Sequence, residues 1–293
     1  MSVTNWTSEM YQQNGVDLHY RRTGGSKPPL ILLHGLTANG ACWSPLARAL
    51  EDQFDVVMPD ARGHGKSSAP LHGYRYEDHA MDVIALIQRL GLVAPTILGH
   101  SMGGMTAAVV ASRMAGSISR LILADPTFIS PQWQREIRDS SVAEKHRRVL
   151  ELGKADILAD LSTRHPDRSS QILELIAEAR LQTRMSAFDV LTPPIPEYQQ
   201  LVRDIHVPIM LIIADAGVMS LGAARELQSL NPRIQIEQIQ CSGHAIPFDR
   251  PKRFEAVVRS FLRIAETIPG TNRSSMPHTG NSSLYRSGGT SLR

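Results

Sequence analysis

Cysteine is scarce in this 293-residue chain, with only Cys42 and Cys241 present. Two thiols cannot build a disulfide scaffold, and they are too few for a cysteine-based zinc site. Both read as reduced, small hydrophobic residues. Long apolar runs are missing as well: none approaches the roughly 20 residues that cross a bilayer. The opening MSVTNWTSEM has neither a basic start nor an apolar core of the kind a secretory leader needs. These absences point to a cytoplasmic protein with no membrane partner. Aromatic residues make up only 5% of the chain, and its net charge of +3 is dispersed rather than gathered into a run. Nucleic acid is therefore not an expected partner, in spite of a pI near 9.0.

With 42% hydrophobic and 20% charged residues, the chain can bury a large core. Short runs rich in Ile, Leu and Val alternate with longer helical patterns, the signature of a mostly parallel sheet covered by helices. The runs are PLILLH (29–34), DVVMP (55–59), PTILGH (95–100), RLILAD (120–125), PIMLIIAD (208–215) and RIQIEQI (233–239). Ahead of them, EMYQQNGVDLHYRR alternates around Asn14-Gly15, which predicts an antiparallel hairpin at the start of the sheet. YEDHAMDVIALIQRLG, MTAAVVASRM and PKRFEAVVRSFLRIAE predict helices. From about 130 to 190 the alternation stops, and QWQREIRDSSVAEKHRRVLELG, KADILADLS and SSQILELIAEARLQT predict an all-helical insertion that ends at LTPPIPEY. The expected organisation is a core of residues 1–128 and 205–265, a helical cap of 129–204, and a tail of 266–293. That tail is too polar to offset its ordering entropy, so disorder is expected there.

In an open α/β sheet, ligands sit beyond the carboxyl ends of the strands. The chemistry-bearing residues fall there repeatedly: His34-Gly35-Leu36, Gly99-His100-Ser101-Met102-Gly103, Asp125-Pro126, Asp215, and Cys241-Ser242-Gly243-His244. G-x-S-x-G between a strand and a helix predicts a strained turn that presents Ser101, with glycine where side chains would not fit. The helix that follows would turn its positive end toward the site. Elsewhere, PDARGHGKS reads as a structural turn carrying Asp60, Arg62 and His64. Asp78, His79 and Asp82 read as helical polar residues rather than metal ligands, and GHGKSS lacks phosphate-loop spacing.

HGLTANGACW, PDARGHGKS, GHSMGG, LILADP and SGHAIPFDRPKRF, in that order, resemble the α/β-hydrolase superfamily over about residues 10–264. The resemblance implies a mostly parallel, eight-stranded α/β-hydrolase sheet flanked by helices, with a helical cap inserted between strands 6 and 7. It makes Ser101 the nucleophile and His244 its base, and assigns the oxyanion-hole amides to Leu36 and Met102. It implies neither a metal nor a cofactor. The acid departs from the family pattern: where many relatives carry G-x-x-D after a strand, Gly217 stands at the acid's place and Asp215 comes two residues early. Asp125, 24 residues beyond Ser101 and followed by proline as in pancreatic-type lipases, is favoured, with Asp215 in reserve. His34, Trp43, Trp133 and Phe188 are expected at the substrate pocket. Serine at the elbow argues against epoxide hydrolase or haloalkane dehalogenase chemistry, which needs aspartate there. The expected partner is a small-molecule ester or lactone. Carboxylesterase is the leading expectation, acyl-homoserine lactonase the alternative, and a slow or non-catalytic receptor the reading from another class.

Overall fold

A computed structural model of the chain describes residues 6–263. The first hairpin joins β1 (Thr7–Gln13) to β2 (Val16–Arg22). Asn14 and Gly15 take φ of 48° and 79°, both left-handed, as a two-residue turn between right-twisted strands requires. β3 (Pro29–Leu33) leads into a 3-10 turn, Gly40–Trp43, and α1 (Ser44–Leu50). Two β-α steps and a strand follow: β4 (Asp55–Pro59) with α2 (Tyr76–Arg89), β5 (Thr96–His100) with α3 (Met102–Arg113), then β6 (Arg120–Ala124).

Only helical elements lie between β6 and the next strand: α4 (Pro131–Arg138), α5 (Val142–Leu150), α6 (Lys154–Arg164), α7 (Ser170–Leu181), a 3-10 turn over Met185–Leu191, and α8 (Tyr198–Asp204). β7 (Ile209–Ala216), α9 (Leu221–Leu230), β8 (Ile234–Gly243), α10 (Ile246–Asp249) and α11 (Pro251–Arg263) complete the described chain. The tail expected at 266–293 lies outside the described residues.

The eight strands form one sheet in the order β1-β2-β4-β3-β5-β6-β7-β8. Its first two pairings are antiparallel and the rest parallel. Every residue of β4 and β5 is buried, because helices cover both faces of a parallel sheet. Alternation along β3 divides the core. Leu30 and Leu32 pack with Trp43, α1 and α11, while Ile31 and Leu33 pack with α2 and α3. The helices between β6 and β7 have a small core of their own, in which Ile157, Leu161, Ile172 and Ile176 meet and Phe248 leans in from α10.

Several elements differ from the sequence reading. QWQREIRDSSVAEKHRRVLELG divides into α4 and α5 around Asp139-Ser140-Ser141, residue types whose short polar side chains compete with helical hydrogen bonds. α1, α8 and α9 were not anticipated. The start of α9 carried a readable signal, since Ser220 Oγ accepts from the Ala223 amide at 3.1 Å as an N-cap.

Candidate active site

Ser101 sits between β5 and α3 with φ 55° and ψ −119°, a conformation that costs an L-residue strain. Its neighbours explain how the strain is held. A Cβ on Gly99 would stand 2.1 Å from the Gly103 carbonyl oxygen, and one on Gly103 would stand 2.4 Å from the Leu33 carbonyl oxygen. Only glycine fits at either position. The Ser101 amide donates to the Ala124 carbonyl at 3.1 Å, and its carbonyl accepts from Gly104 at 2.9 Å. The backbone is therefore fixed from both sides, and the side chain is turned beyond the strand end.

His244 follows β8 on a loop held by two carboxylates. Asp215 accepts the amides of Cys241 and Ser242, each at 2.8 Å, and Asp249 accepts that of Gly243 at 3.0 Å. The Ser242 and Cys241 amides hold the Asp215 carboxyl below its ordinary pKa. The imidazole bridges two groups: Nδ1 donates to Asp125 Oδ2 at 2.6 Å, and Nε2 lies 2.8 Å from Ser101 Oγ. With the proton on Nδ1, the Nε2 lone pair faces the serine hydroxyl and can accept its proton.

Asp125 ends β6 at φ 40° with no exposed surface. Its Oδ2 also accepts from the Val218 amide at 2.8 Å, and its Oδ1 from the Met219 amide at 3.1 Å. Three donors thus hold a buried carboxylate in place. Asp215 does not reach His244; its carboxylate is spent on the loop before it.

The loop after β3 passes beside the serine, since a Cβ on Gly35 would lie 3.3 Å from Ser101 Cβ. Leu36 is tied there by its carbonyl, which pairs with His64 Nε2. Asp60 anchors the next turn, accepting from the Gly40 amide at 2.7 Å and from His19 Nδ1 at 2.8 Å. Burial alone would raise the Asp60 carboxyl. Hydrogen bonds from His19 and the Lys66 and Gly40 amides outweigh it and hold its pKa low. Met102 opens α3, so its amide has no intrahelical carbonyl to meet. Met102 thus adjoins Ser101 directly, and Leu36 follows Gly35, which packs beside it.

The side chains expected at a substrate pocket are His34, Trp43, Phe188 and Trp133. His34 is buried with both ring nitrogens committed: Nδ1 donates to the Gly35 carbonyl at 2.8 Å, and Nε2 accepts from the Ala61 amide at 3.0 Å. Trp43 stacks on Phe254 at 6.1 Å in the core beside α11. Phe188 is buried against His146, 4.9 Å between ring centroids. His34 also lines a cavity with Met102 and Asp82, and Trp43 lines another with Phe248 and Phe254. Trp133 on α4 keeps an exposed face, at 38%.

His100, the residue before Ser101, is tied to the loop that carries His244. His100 Nε2 donates to the His244 carbonyl at 2.8 Å, and the two rings lie 5.0 Å apart. Burial, then the neighbouring His244, pushes His100 down to about 4, so it is neutral at pH 7. Asp82, considered and set aside as a metal ligand, pairs with Arg62 at 2.6 Å. Among the described residues no group of three or more His, Cys, Asp or Glu is arranged to hold a metal ion, and no helix is long and apolar enough to cross a membrane.

A family model described as the alpha/beta hydrolase fold matches residues 28–251. N-formylmaleamate deformylase of Pseudomonas putida is 31% identical over 256 residues, covering 85% of this chain and 94% of that protein. 2-(Acetamidomethylene)succinate hydrolase of Mesorhizobium japonicum is 24% identical, covering 82% of this chain and 90% of that one. Among solved structures, the enol-lactonase from Burkholderia xenovorans LB400 superposes with a TM-score of 0.72 at 26% identity, covering 87% of this chain and 99% of that one.

Proposed function

The chain belongs to the alpha/beta hydrolase family, and from that premise we propose that it is a serine hydrolase that cleaves carboxylic esters through an acyl-enzyme. The observation that carries this reading is the bonded series Asp125, His244, Ser101, ending on a strained serine at the head of α3. His244 takes the proton of Ser101 as the hydroxyl attacks the acyl carbonyl, and returns it to the leaving group. Asp125 holds the Nδ1–H tautomer and stabilises the imidazolium that forms. The amides of Leu36 and Met102 serve as the oxyanion hole, each such donor contributing about 3 kcal/mol. Water, activated by His244, then releases the acid. Residues 129–204 act as a cap over this site, and the substrate is a small molecule.

Hydrolysis of an amide is a second reading, favoured by one observation: the relative at 31% identity is a deformylase. The same residues would serve it, with His244 protonating an amine instead of an alcohol. Lactone hydrolysis is kept in view by the structural likeness to an enol-lactonase.

Fluorophosphonate labelling tests the shared chemistry. Labelling at Ser101 that is lost in Ser101→Ala is expected; an inert serine in folded protein would leave a binding role instead. A panel of short esters, lactones and N-formyl amides then ranks the bonds cleaved.

A further inference from the structure

His244 lies inside a small ring of its own chain. Asp249, at the end of α10, reaches back so that its Oδ2 accepts the Gly243 amide at 3.0 Å, and the base stands on the peptide that follows. The other oxygen of that carboxylate is held from the helical insertion. Arg168, in the turn between α6 and α7, donates to Asp249 Oδ1 through Nε at 3.0 Å and Nη2 at 2.7 Å. The Arg168 side chain is 8% exposed and that of Asp249 20%. A charge so far removed from water needs its partner, and hydrogen bonds between opposite charges are the strong ones.

An anchor positions a loop only if it is fixed itself. The Arg168 amide donates to the His165 carbonyl at 3.1 Å, which closes the turn after α6, and the guanidinium lies 5.9 Å from the centre of the Phe248 ring. Phe248 packs in turn on the core of the insertion, where Ile157, Leu161, Ile172 and Ile176 meet. α7, which begins just after Arg168, is tied to the other side of the site, along the segment that follows Leu36. There Cys42 Sγ donates to the Leu175 carbonyl at 3.7 Å, and Asn39 Nδ2 donates to Gln182 Oε1 at 2.9 Å. The insertion therefore bridges the two loops, and Arg168 is its polar attachment to the one that bears His244.

We propose that Arg168 is a positioning residue for the base: through Asp249 it fixes the Gly243–His244 backbone, and so sets how the His244 ring meets Ser101 and Asp125. It acts on that carboxylate and not on the reacting atoms. Without the guanidinium, Asp249 is free to turn toward water, and a single bond to the Gly243 amide no longer fixes the peptide before His244. The ring has little room to spare, with Nε2 2.8 Å from Ser101 Oγ and Nδ1 2.6 Å from Asp125 Oδ2. A displacement of about 1 Å costs on the order of 100-fold in rate. His100 and Asp215 still hold the loop from the sheet, so the expected loss is partial. The role of His244 as a base rests on the serine-hydrolase reading, whereas the placing of its ring by Arg168 does not.

Two measurements keep these apart. The first follows hydrolysis of p-nitrophenyl acetate by wild type, Arg168→Gln, Arg168→Lys, Asp249→Asn and the double variant Arg168→Gln/Asp249→Asn. In Arg168→Gln, kcat is expected to fall about tenfold with KM within about twofold, the mark of lost geometry rather than lost binding. Arg168→Lys should recover much of that, since both bonds of the arginine go to one oxygen that an ammonium can also reach. The double variant should be no slower than Asp249→Asn, because the arginine works only through that carboxylate. The second measurement reads the ring NMR signals of His244, assigned by their loss in His244→Asn. They are expected to shift in Arg168→Gln and to return in Arg168→Lys, even if no ester is turned over. Arg164→Gln, which removes a nearby cation paired with Asp160, should leave kcat and these signals unchanged. His244 signals that stay in place in folded Arg168→Gln, or additive losses of kcat in the double variant, overturn the proposal even if Ser101 proves to be a working nucleophile. A lowered Tm in Arg168→Gln with kcat and the His244 signals unmoved overturns it too, and leaves the ion pair a structural tie.

Discussion

A Cβ on Gly217 would stand 2.5 Å from Oδ2 of Asp125. The Asp125 carboxylate after β6 and the missing side chain after β7 are therefore two sides of one arrangement. Many relatives bring the acid from the loop after β7, at the place Gly217 occupies, and the carboxylate from β6 here fills the space that such a side chain would need. Once Asp125 is there, Val218 and Met219 donate their amides to it rather than to a residue of their own loop.

Replacing the charge tests that assignment directly. Asp125→Asn keeps the shape but favours the wrong His244 tautomer, and kcat is expected to fall about 10⁴-fold. Asp215→Asn removes only a loop anchor on the amides of Cys241 and Ser242, and should cost less than about tenfold, in line with the loss of ordinary hydrogen bonds. Steady-state ester hydrolysis by both variants checks this; a larger loss in Asp215→Asn would reverse the roles.

The steric half of the relationship makes its own prediction. Gly217→Ala places a methyl against a carboxylate fixed by three donors, so Asp125 must shift or the β7 loop must open. Positioning errors near 1 Å cost on the order of 100-fold in rate. A fall in kcat of about that size is expected, with a smaller change in Tm because Gly217 is exposed and the loop can give. Wild-type turnover in Gly217→Ala would show that the contact is not what excludes a side chain.

Ser101 and His244 were legible because their signals are local: a glycine-flanked serine at a strand-to-helix turn, and a histidine directly after the last strand. The sheet was legible for a related reason, since β3 to β6 are buried on both faces and read as continuous apolar runs. The choice between Asp125 and Asp215 was not local. The spacing to Ser101 and the proline after it favoured Asp125; what the chain does not encode is the close approach of residues 125 and 217. The same holds for the bond from His100 to the His244 carbonyl. Apolar periodicity marks the buried side of an element but not which space it faces. Trp43 and Phe188 are buried, against Phe254 and His146.

Beneath the site, Arg62 and Asp82 form a bidentate pair with side chains 7% and 6% exposed. Removing one partner strands the other charge. Arg62→Met is expected to cost about 3–5 kcal/mol in urea unfolding, whereas Arg62→Met combined with Asp82→Leu should recover much of that loss. If the double variant is no more stable than Arg62→Met alone, the pair is not the source of the effect.

His100 supplies a prediction in pH. Its folded pKa is pushed down to about 4, below the unfolded value of about 6.5. Between those values the unfolded chain binds more protons at this site than the folded one, so stability rises with pH through the window and is level above it. Falling from pH 7 to 5, this histidine alone should remove about 2 kcal/mol. Burial lowers His34, His64 and His79 in the same direction, so the whole protein should soften steeply over this range. His100→Gln can still offer an N–H toward the His244 carbonyl but does not titrate. The slope of unfolding free energy against pH, measured in urea between pH 5 and 6.5, should therefore be shallower in His100→Gln than in wild type. Equal slopes would mean that His100 takes up its proton in the folded state as readily as in the unfolded chain, and that burial does not keep it neutral.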